Sequence, residues 1–350
     1  MKFDYQSFPT KVSFGSPLLE ALEKYTPQGR KSRVFLIAGK RQQGLAAWVQ
    51  AHPDLELVYH FDQIAQHVPK TLVTEALALV DFATTDLLLA VGGGSAIGLA
   101  KALALETKKL IWAAPTTYSG SEMTNIYGIS TEGKKTVGRD EVVLPQLIIY
   151  DPALTQSLPA TIALTSATNA LAHLVEGLYA QPNNPLSYQQ ALMGMQHIQL
   201  GYRSFAKGET QEANEQWLMG AYLGGKTLCE LPMALHHKAA HVLGGNFGLD
   251  HARTHTALLP YILDYQWDYL PELVRQDFNA VWPETRAAQG LWQQLQSLGL
   301  ALSLQSLGLT AEALPEAAAQ ISALAFVNPA PTDHKAIYQL LTRAYEGYLS

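Results

Sequence analysis

The sequence predicts an α/β N-terminal domain followed by an all-α C-terminal domain, with the boundary near residue 155 (1–155 and 156–350). Up to Asp151-Pro152, short apolar, β-rich runs alternate with helical patterns. Beyond that point β-branched runs disappear and Ala, Leu and Gln dominate. The length of 350 residues suits two domains of about 100–200 residues each.

The expected strands, in order, are Arg33 to Ala38, Leu55 to Tyr59, Asp86 to Val91, Leu110 to Ala114 and Leu147 to Tyr150. Mostly apolar runs of this length, separated by helices, read as parallel strands covered on both faces. Ile126 to Val137 has the pattern of a hairpin, with its turn near Thr131-Glu132-Gly133-Lys134. In the second half, Pro159, Pro182, Pro185, Gly208, Pro232, Pro260, Pro271 and Pro283 are expected to fall between helices.

Apolar residues make up 48% and charged residues 15%, and 30 acids against 24 Lys and Arg give a net charge of −6. With no block of like charge, nucleic acid is not an expected partner. The single cysteine, Cys229, excludes an internal disulfide and a Cys-based zinc site, and fits a reducing compartment, with cytoplasm the default expectation. Met1-Lys2-Phe3-Asp4-Tyr5 carries an acid where a signal peptide would carry its apolar run. The apolar stretch from Leu77 to Leu105 is interrupted by Asp81, Asp86 and Lys101, so no membrane segment is expected.

Gly92-Gly93-Gly94-Ser95 follows a strand directly and opens a helix, so free backbone N–H groups and the helix dipole face one point, the makings of an anion site. The spacing is not G-x-G-x-x-G and follows the third strand, which departs from the usual dinucleotide fingerprint. Taken alone, the triplet equally suits a tight βα turn. Pro115-Thr116-Thr117-Tyr118-Ser119-Gly120-Ser121-Glu122 follows the next strand and brings hydroxyls to the same sheet end, which favours a ligand crevice.

Five of the eleven histidines, His236, His237, His241, His251 and His255, lie within twenty residues. His237 and His241 share a helix face by their four-residue spacing, as do Asn169 and His173 in the preceding helix, so two helices could aim two side chains each into one cavity. His255 reads equally as a hydrogen-bonded core residue. Three imidazoles from His173, His237 and His251 would suit Zn²⁺ or Fe²⁺, but Asn169 supplies a neutral carboxamide where a carboxylate would serve a dication better. The cluster is open between a metal site and a cationic pocket.

With these residues assembled, the chain resembles the iron-containing (group III) alcohol dehydrogenase family, over nearly its whole length. The resemblance implies a dehydroquinate synthase-like architecture with an N-terminal nucleotide-binding domain. It places NADH or NADPH on Gly92, Gly93, Gly94 and Ser95 and on the loop carrying Thr116, Thr117, Ser119 and Ser121. The family's metal-ligand positions fall on Asn169, His173, His237 and His251, and its non-ligand active-site His on His241. Gly98 and Asn169 stand where the family has Asp. With Gly98-Leu99-Ala100-Lys101, Ser121-Glu122-Met123-Thr124, Gly138-Arg139-Asp140 and Leu235-His236-His237-Lys238, these departures resemble the maleylacetate reductase branch. Asn125, Tyr127 and Gln146 differ from the branch pattern and leave room for altered substrate use.

The resemblance implies reduction of maleylacetate, or a similar unsaturated oxo-dicarboxylate, to 3-oxoadipate in aromatic compound degradation. His173, His237 and His251 would then surround the ketone oxygen, with divalent metal absent or weak, and His241 would donate the proton. Lys238, Arg139, Tyr118 and Asn169 are candidate substrate contacts; Arg139 reads equally as a solvated hairpin charge. The first expected strand runs into Ala38-Gly39-Lys40-Arg41, where no acid awaits a ribose 2′-hydroxyl and two bases could meet a 2′-phosphate, so NADPH is expected beside NADH. A homodimer is implied by the resemblance. The alternatives are a metal-dependent (Fe or Zn) alcohol or polyol dehydrogenase, a dehydroquinate synthase-type lyase, and a non-catalytic cofactor-binding protein.

Overall fold

The computed structural model describes residues 2–131 and 134–349. The chain forms two compact units, Ser7–Leu158 and Pro159–Ser350, the latter joined by Met1–Gln6. The boundary therefore falls just past the expected residue 155, and the first six residues leave the α/β unit. Their anchor is Tyr5: its hydroxyl donates to Glu230 Oε1 at 3.0 Å and accepts from Lys226 Nζ at 2.9 Å, and that ammonium also lies above the ring.

The α/β unit runs β1 (Lys11–Phe14), α1 (Leu18–Tyr25), β2 (Ser32–Ala38), α2 (Gln43–Ala51), β3 (Leu55–Phe61), α3 (Lys70–Ala78), β4 (Leu87–Gly92), α4 (Gly94–Thr107), β5 (Leu110–Pro115), β6 (Ile126–Thr131), β7 (Lys134–Arg139) and β8 (Leu147–Tyr150). Six parallel strands lie in the order β1-β8-β5-β4-β2-β3. From the adjacent β2 and β4, the chain steps outward in opposite directions, β2 to β3 and β4 to β5. Loops at the carboxyl ends of such a pair border the crevice where open α/β sheets bind ligands.

Both faces of the sheet are covered, which is why its strands read as apolar runs. Val34, Leu36, Leu87 and Leu89 pack with Leu22, Leu45 and Val49 of α1 and α2, while α4 packs against β4 and β5. β1 was not expected from the sequence: its four residues, Lys-Val-Ser-Phe, pair only with β8 and are half-exposed, so no apolar run marks them. The hairpin is present as β6 paired antiparallel with β7. Glu132 and Gly133 of its expected turn lie outside the described residues.

The helical unit runs α5 (Ala160–Tyr179), α6 (Pro185–Ala206), α7 (Thr210–Glu230), α8 (Leu235–Phe247), α9 (His251–Gln266), α10 (Glu272–Val281), α11 (Ala287–Ser297), α12 (Leu314–Ser322) and α13 (His334–Glu346). Pro159 and Pro271 precede helices and Pro185 opens one, as expected. Pro260 does not separate helices but lies inside α9, buried. There α9 packs against α5, α8, α11 and α13, and burial of this segment outweighs the backbone bond that proline forfeits. Among the described residues, no helix is long and apolar enough to cross a membrane.

Candidate active site

In the α/β unit, Gly93 caps α4 in an extended conformation and Gly94 is the first helical residue. Gly92 is required by close approach, because a Cβ there would stand 2.7 Å from the Ala96 Cβ. The second loop leans on this turn: Thr116 N–H donates to Gly92 O at 3.1 Å. The Thr117 methyl lies 3.0 Å from where a Gly93 Cβ would be, and Ser119 Oγ 3.5 Å from that of Gly94. Two expected cofactor loops are thus in contact at the carboxyl ends of neighbouring strands, with Thr116, Thr117, Ser119 and Ser121 partly exposed. Gly39 follows β2, and the exposed Lys40 and Arg41 follow it.

The loop between β3 and α3 explains the glycine at position 98. A Cβ at Gly98 would stand 2.8 Å from Val68 Cγ2, and Val68, like His67, has a positive φ (50° and 62°). A β-branched residue rarely adopts that conformation. Its side chain occupies the space an Asp at 98 would need.

Two expected substrate contacts lie in this unit and already have partners within it. Tyr118 is fully buried, with its hydroxyl bonded to Thr155. Arg139 is exposed on β7, where its guanidinium donates to Asn125 Oδ1 at 3.2 Å.

In the helical unit, α5 carries Asn169, His173 and Glu176 along one buried face, α8 carries His236, His237, Lys238 and His241, and α9 begins with His251 and continues to His255. The ring centroids of His173 and His237 are 4.9 Å apart, of His241 and His251 5.9 Å, and of His251 and His255 4.5 Å. The expected histidines therefore do gather. Within the cluster His236 and His255 form a buried pair, Nε2 to Nδ1, at 2.9 Å, so His255 takes the core role that the sequence left open.

Glu176 was not anticipated. Its fully buried carboxylate accepts from Ala234 N–H at 3.0 Å and His236 N–H at 2.6 Å, and lies 2.6 Å from His237 Nδ1. The signal was the His-x-x-Glu spacing of His173 and Glu176, which places both on one helix face. With His237 Nδ1 engaged, its Nε2 has no hydrogen-bond partner, and the same holds for His173 Nδ1 and Asn169 Oδ1.

The buried histidines do not form a cationic pocket. Burial pushes His173 down to about 3, aided by the charge of His241, and holds His236, His237 and His255 below the usual imidazole range, so they are neutral at pH 7. Burial also pushes Glu176 up to about 8 against the three N–H groups on it. Lys238, half-buried on α8, brings an ammonium to this face, and among the described residues that ammonium is in no hydrogen bond or ion pair.

A divalent metal is the group the ligand positions bring to mind. The donors on offer are imidazoles and an amide, with no carboxylate facing them in place of Asn169. Among the described residues no three His, Cys, Asp or Glu side chains are disposed to hold an ion. Three imidazoles can hold a dication, and what this set lacks is the ligand carboxylate that would strengthen its grip.

A parallel sheet with a glycine turn at its centre, followed by a helical unit with clustered histidines, defines a dehydrogenase-type protein, and the chain belongs to the iron-containing alcohol dehydrogenase family. Residues 9–152 match "Iron-containing alcohol dehydrogenase" and residues 163–345 match "Fe-containing alcohol dehydrogenase family, C-terminal". The chain is similar to the maleylacetate reductase of Delftia acidovorans, 40% identical over 99% of both chains, and to that of Sphingobium indicum, 38% identical over 99% of this chain and 98% of the other. Among solved structures it resembles maleylacetate reductase from Rhizobium sp. strain MTP-10005, with a TM-score of 0.91 and 35% identity, covering 100% of this chain and 99% of that one.

Proposed function

We propose that this chain is an NAD(P)H-dependent oxidoreductase that reduces the carbon–carbon double bond of maleylacetate, giving 3-oxoadipate, or that of a similar unsaturated oxo-dicarboxylate. The observation that carries this reading is the α5–α8 face, where Asn169 replaces a ligand carboxylate and a free ammonium, Lys238, adjoins neutral imidazoles. Such a face suits a dianionic substrate better than a dication. The full-length similarity to maleylacetate reductases supports the same substrate.

In this reading the N–H groups at Gly93 to Ser95 and the hydroxyls of Thr116, Thr117, Ser119 and Ser121 hold the dinucleotide, and Lys40 and Arg41 accept the 2′-phosphate of NADPH as readily as NADH is accepted without it. Hydride that NAD(P)H supplies when bound goes to the alkene carbon conjugated with the ketone, so the electron pair passes to the ketone oxygen as an enolate. Lys238 compensates the substrate's negative charge. His173 and Asn169 offer N–H groups toward the oxygen whose charge grows, which lowers the transition state more than the ground state. His241, exposed on α8, gives its proton to the enolate carbon. Turnover without a tightly held metal belongs to this reading; a weakly held one would meet His173, His237 and His251. A homodimer and a cytoplasmic setting complete it.

The test is NADH oxidation with maleylacetate by wild type before and after EDTA, alongside metal analysis. Turnover that survives EDTA is expected. Lys238→Met should raise KM for maleylacetate by about tenfold or more, the loss of a charge-assisted hydrogen bond worth about 1.5–3 kcal/mol, with NADH affinity unchanged. Turnover of primary alcohols only, abolished by EDTA, would instead favour a metal-dependent alcohol or polyol dehydrogenase.

A further inference from the structure

Lys101 is a fully buried lysine on α4, seven residues after Gly94 opens the helix. It donates to Ser121 O and Thr124 O, each at 2.6 Å, and to Thr124 Oγ1 and Ile126 O, each at 2.9 Å. These acceptors belong to the segment that leaves the second cofactor loop and enters β6. Burying an ammonium costs several kcal/mol, so the arrangement holds only because its protons are matched by acceptors. The segment 121–125 is a single 3₁₀ turn followed by extended chain, in which Ser121 O accepts from Thr124 N–H at 3.2 Å and Asn125 O from Asp140 N–H at 3.0 Å. Lys101 adds the ties from this segment to α4.

The connection continues to the glycine turn. Ser121, whose carbonyl accepts from Lys101, donates its own N–H to Ser119 Oγ at 3.4 Å, and Ser119 Oγ lies beside Gly94. Gly120 between them has a left-handed φ of 72°, so the loop reverses there and its tip is set by how its far end is tied down. Glu122, also fully buried, accepts from Tyr150 O–H at 2.9 Å and fixes the same turn from β8.

We infer that Lys101 is a positioning residue for the dinucleotide: by clamping Ser121 to Ile126 onto α4, it sets Thr117 and Ser119 against the glycine turn. It touches neither cofactor nor substrate and acts through the second loop. This inference rests on the dinucleotide reading above.

The test is NADH binding by fluorescence titration, with thermal melts and steady-state kinetics, for wild type, Lys101→Met and Thr124→Val. The folded Lys101→Met variant should bind NADH on the order of tenfold to a hundredfold more weakly, because misplacing loop groups by about 1 Å has that effect. Its kcat at saturating NADH and its KM for maleylacetate should stay within about threefold, a split that general destabilisation would not produce. Thr124→Val keeps the ammonium and the carbonyls and removes one hydroxyl, so it carries the test if Lys101→Met does not fold; several-fold weaker NADH binding is expected. Wild-type NADH affinity in either folded variant, with only the melting temperature lowered, would overturn the inference. A wild type that binds no dinucleotide overturns the parent reading and this inference with it.

Discussion

Glu176 Oε2 lies 2.6 Å from His237 Nδ1, both side chains buried, and the same carboxylate caps the N–H groups of Ala234 and His236 at the start of α8. One side chain of α5 therefore sets the position of α8 and the orientation of its first site histidine together. Glu176→Gln should keep the cap on one N–H while losing a carboxylate for the imidazole. A loss of about 10–100-fold in kcat is expected, the range seen when partners that orient site histidines are removed. Unchanged kcat with a lowered melting temperature would make Glu176 a helix-joining residue only.

Stability should pass through a maximum near pH 6.5. His173 and His236 are held at about 3, and His237 and His255 well below 6.5, so these four gain protons on unfolding as pH falls below 6.5. Their stabilisation is present above 6.5 and is lost toward acid. Glu122 and Glu176 are raised from 4.5 to about 7 and about 8, so they lose protons on unfolding and oppose the histidines from pH 4.5 upward. Four histidines against two carboxyls leave stability rising with pH up to 6.5, and above it only the carboxyls act, so stability falls. Each net proton changes stability by about 1.4 kcal/mol per pH unit. Melting curves of EDTA-treated protein from pH 5 to 9 test this; a melting temperature that still climbs between pH 6.5 and 8 would contradict it.

Gly94→Val separates a binding turn from a merely tight one. The Cβ position at Gly94 meets Ser119 Oγ at 3.5 Å and Ser119 Cβ at 3.8 Å, ordinary contacts, so the fold should survive with a drop of about 1 kcal/mol for a branched residue in a first turn. In the proposed reading the pyrophosphate settles on this turn, so NADH affinity should fall strongly. Equal NADH affinity in the folded variant would show that the turn serves structure alone.

Asn169→Asp restores a carboxylate beside His173 and His237, where the Asn oxygen has no partner. The variant should copurify with more Fe²⁺ or Zn²⁺ than wild type, since a charged oxygen completes the donor set. It should also lose maleylacetate turnover, because the new charge repels a dianion. A wild type carrying one tightly held metal per chain and silenced by EDTA would reverse this expectation.

The strands of the sheet could be read from the sequence because burial on both faces leaves an unbroken apolar run, as in Leu88 to Val91. β1 left no such mark, being an edge strand with one partner. Pro260 misled for the opposite reason: a local breaker sits in α9 because tertiary packing outweighs it. The histidine cluster was legible from spacing alone, yet its charge was not, since the pKa of His173 depends on how deeply the fold buries it. Lys101 is the sharpest case. In the sequence it interrupts an apolar stretch and closes the Gly98-Leu99-Ala100-Lys101 motif, whereas in the fold it is as buried as the leucines around it, and the acceptors brought from residues 121 to 126 help explain how. Tyr118 likewise read as a loop residue facing a ligand, and its burial and its bond to Thr155 left no mark in the sequence.

The anchoring of Tyr5 on Lys226 and Glu230 has a consequence for how the chain is made. Because residues 1–6 belong with residues 159–350, the α/β unit is an insertion within a discontinuous helical unit, and the polypeptide passes from one to the other twice. During synthesis the α/β unit can close as soon as residue 158 emerges, while the leading segment waits for α7 before it finds its seat. A single backbone nick between the units would leave them joined through the other crossing, and a fragment beginning at Pro159 would lack the aromatic ring that Lys226 covers.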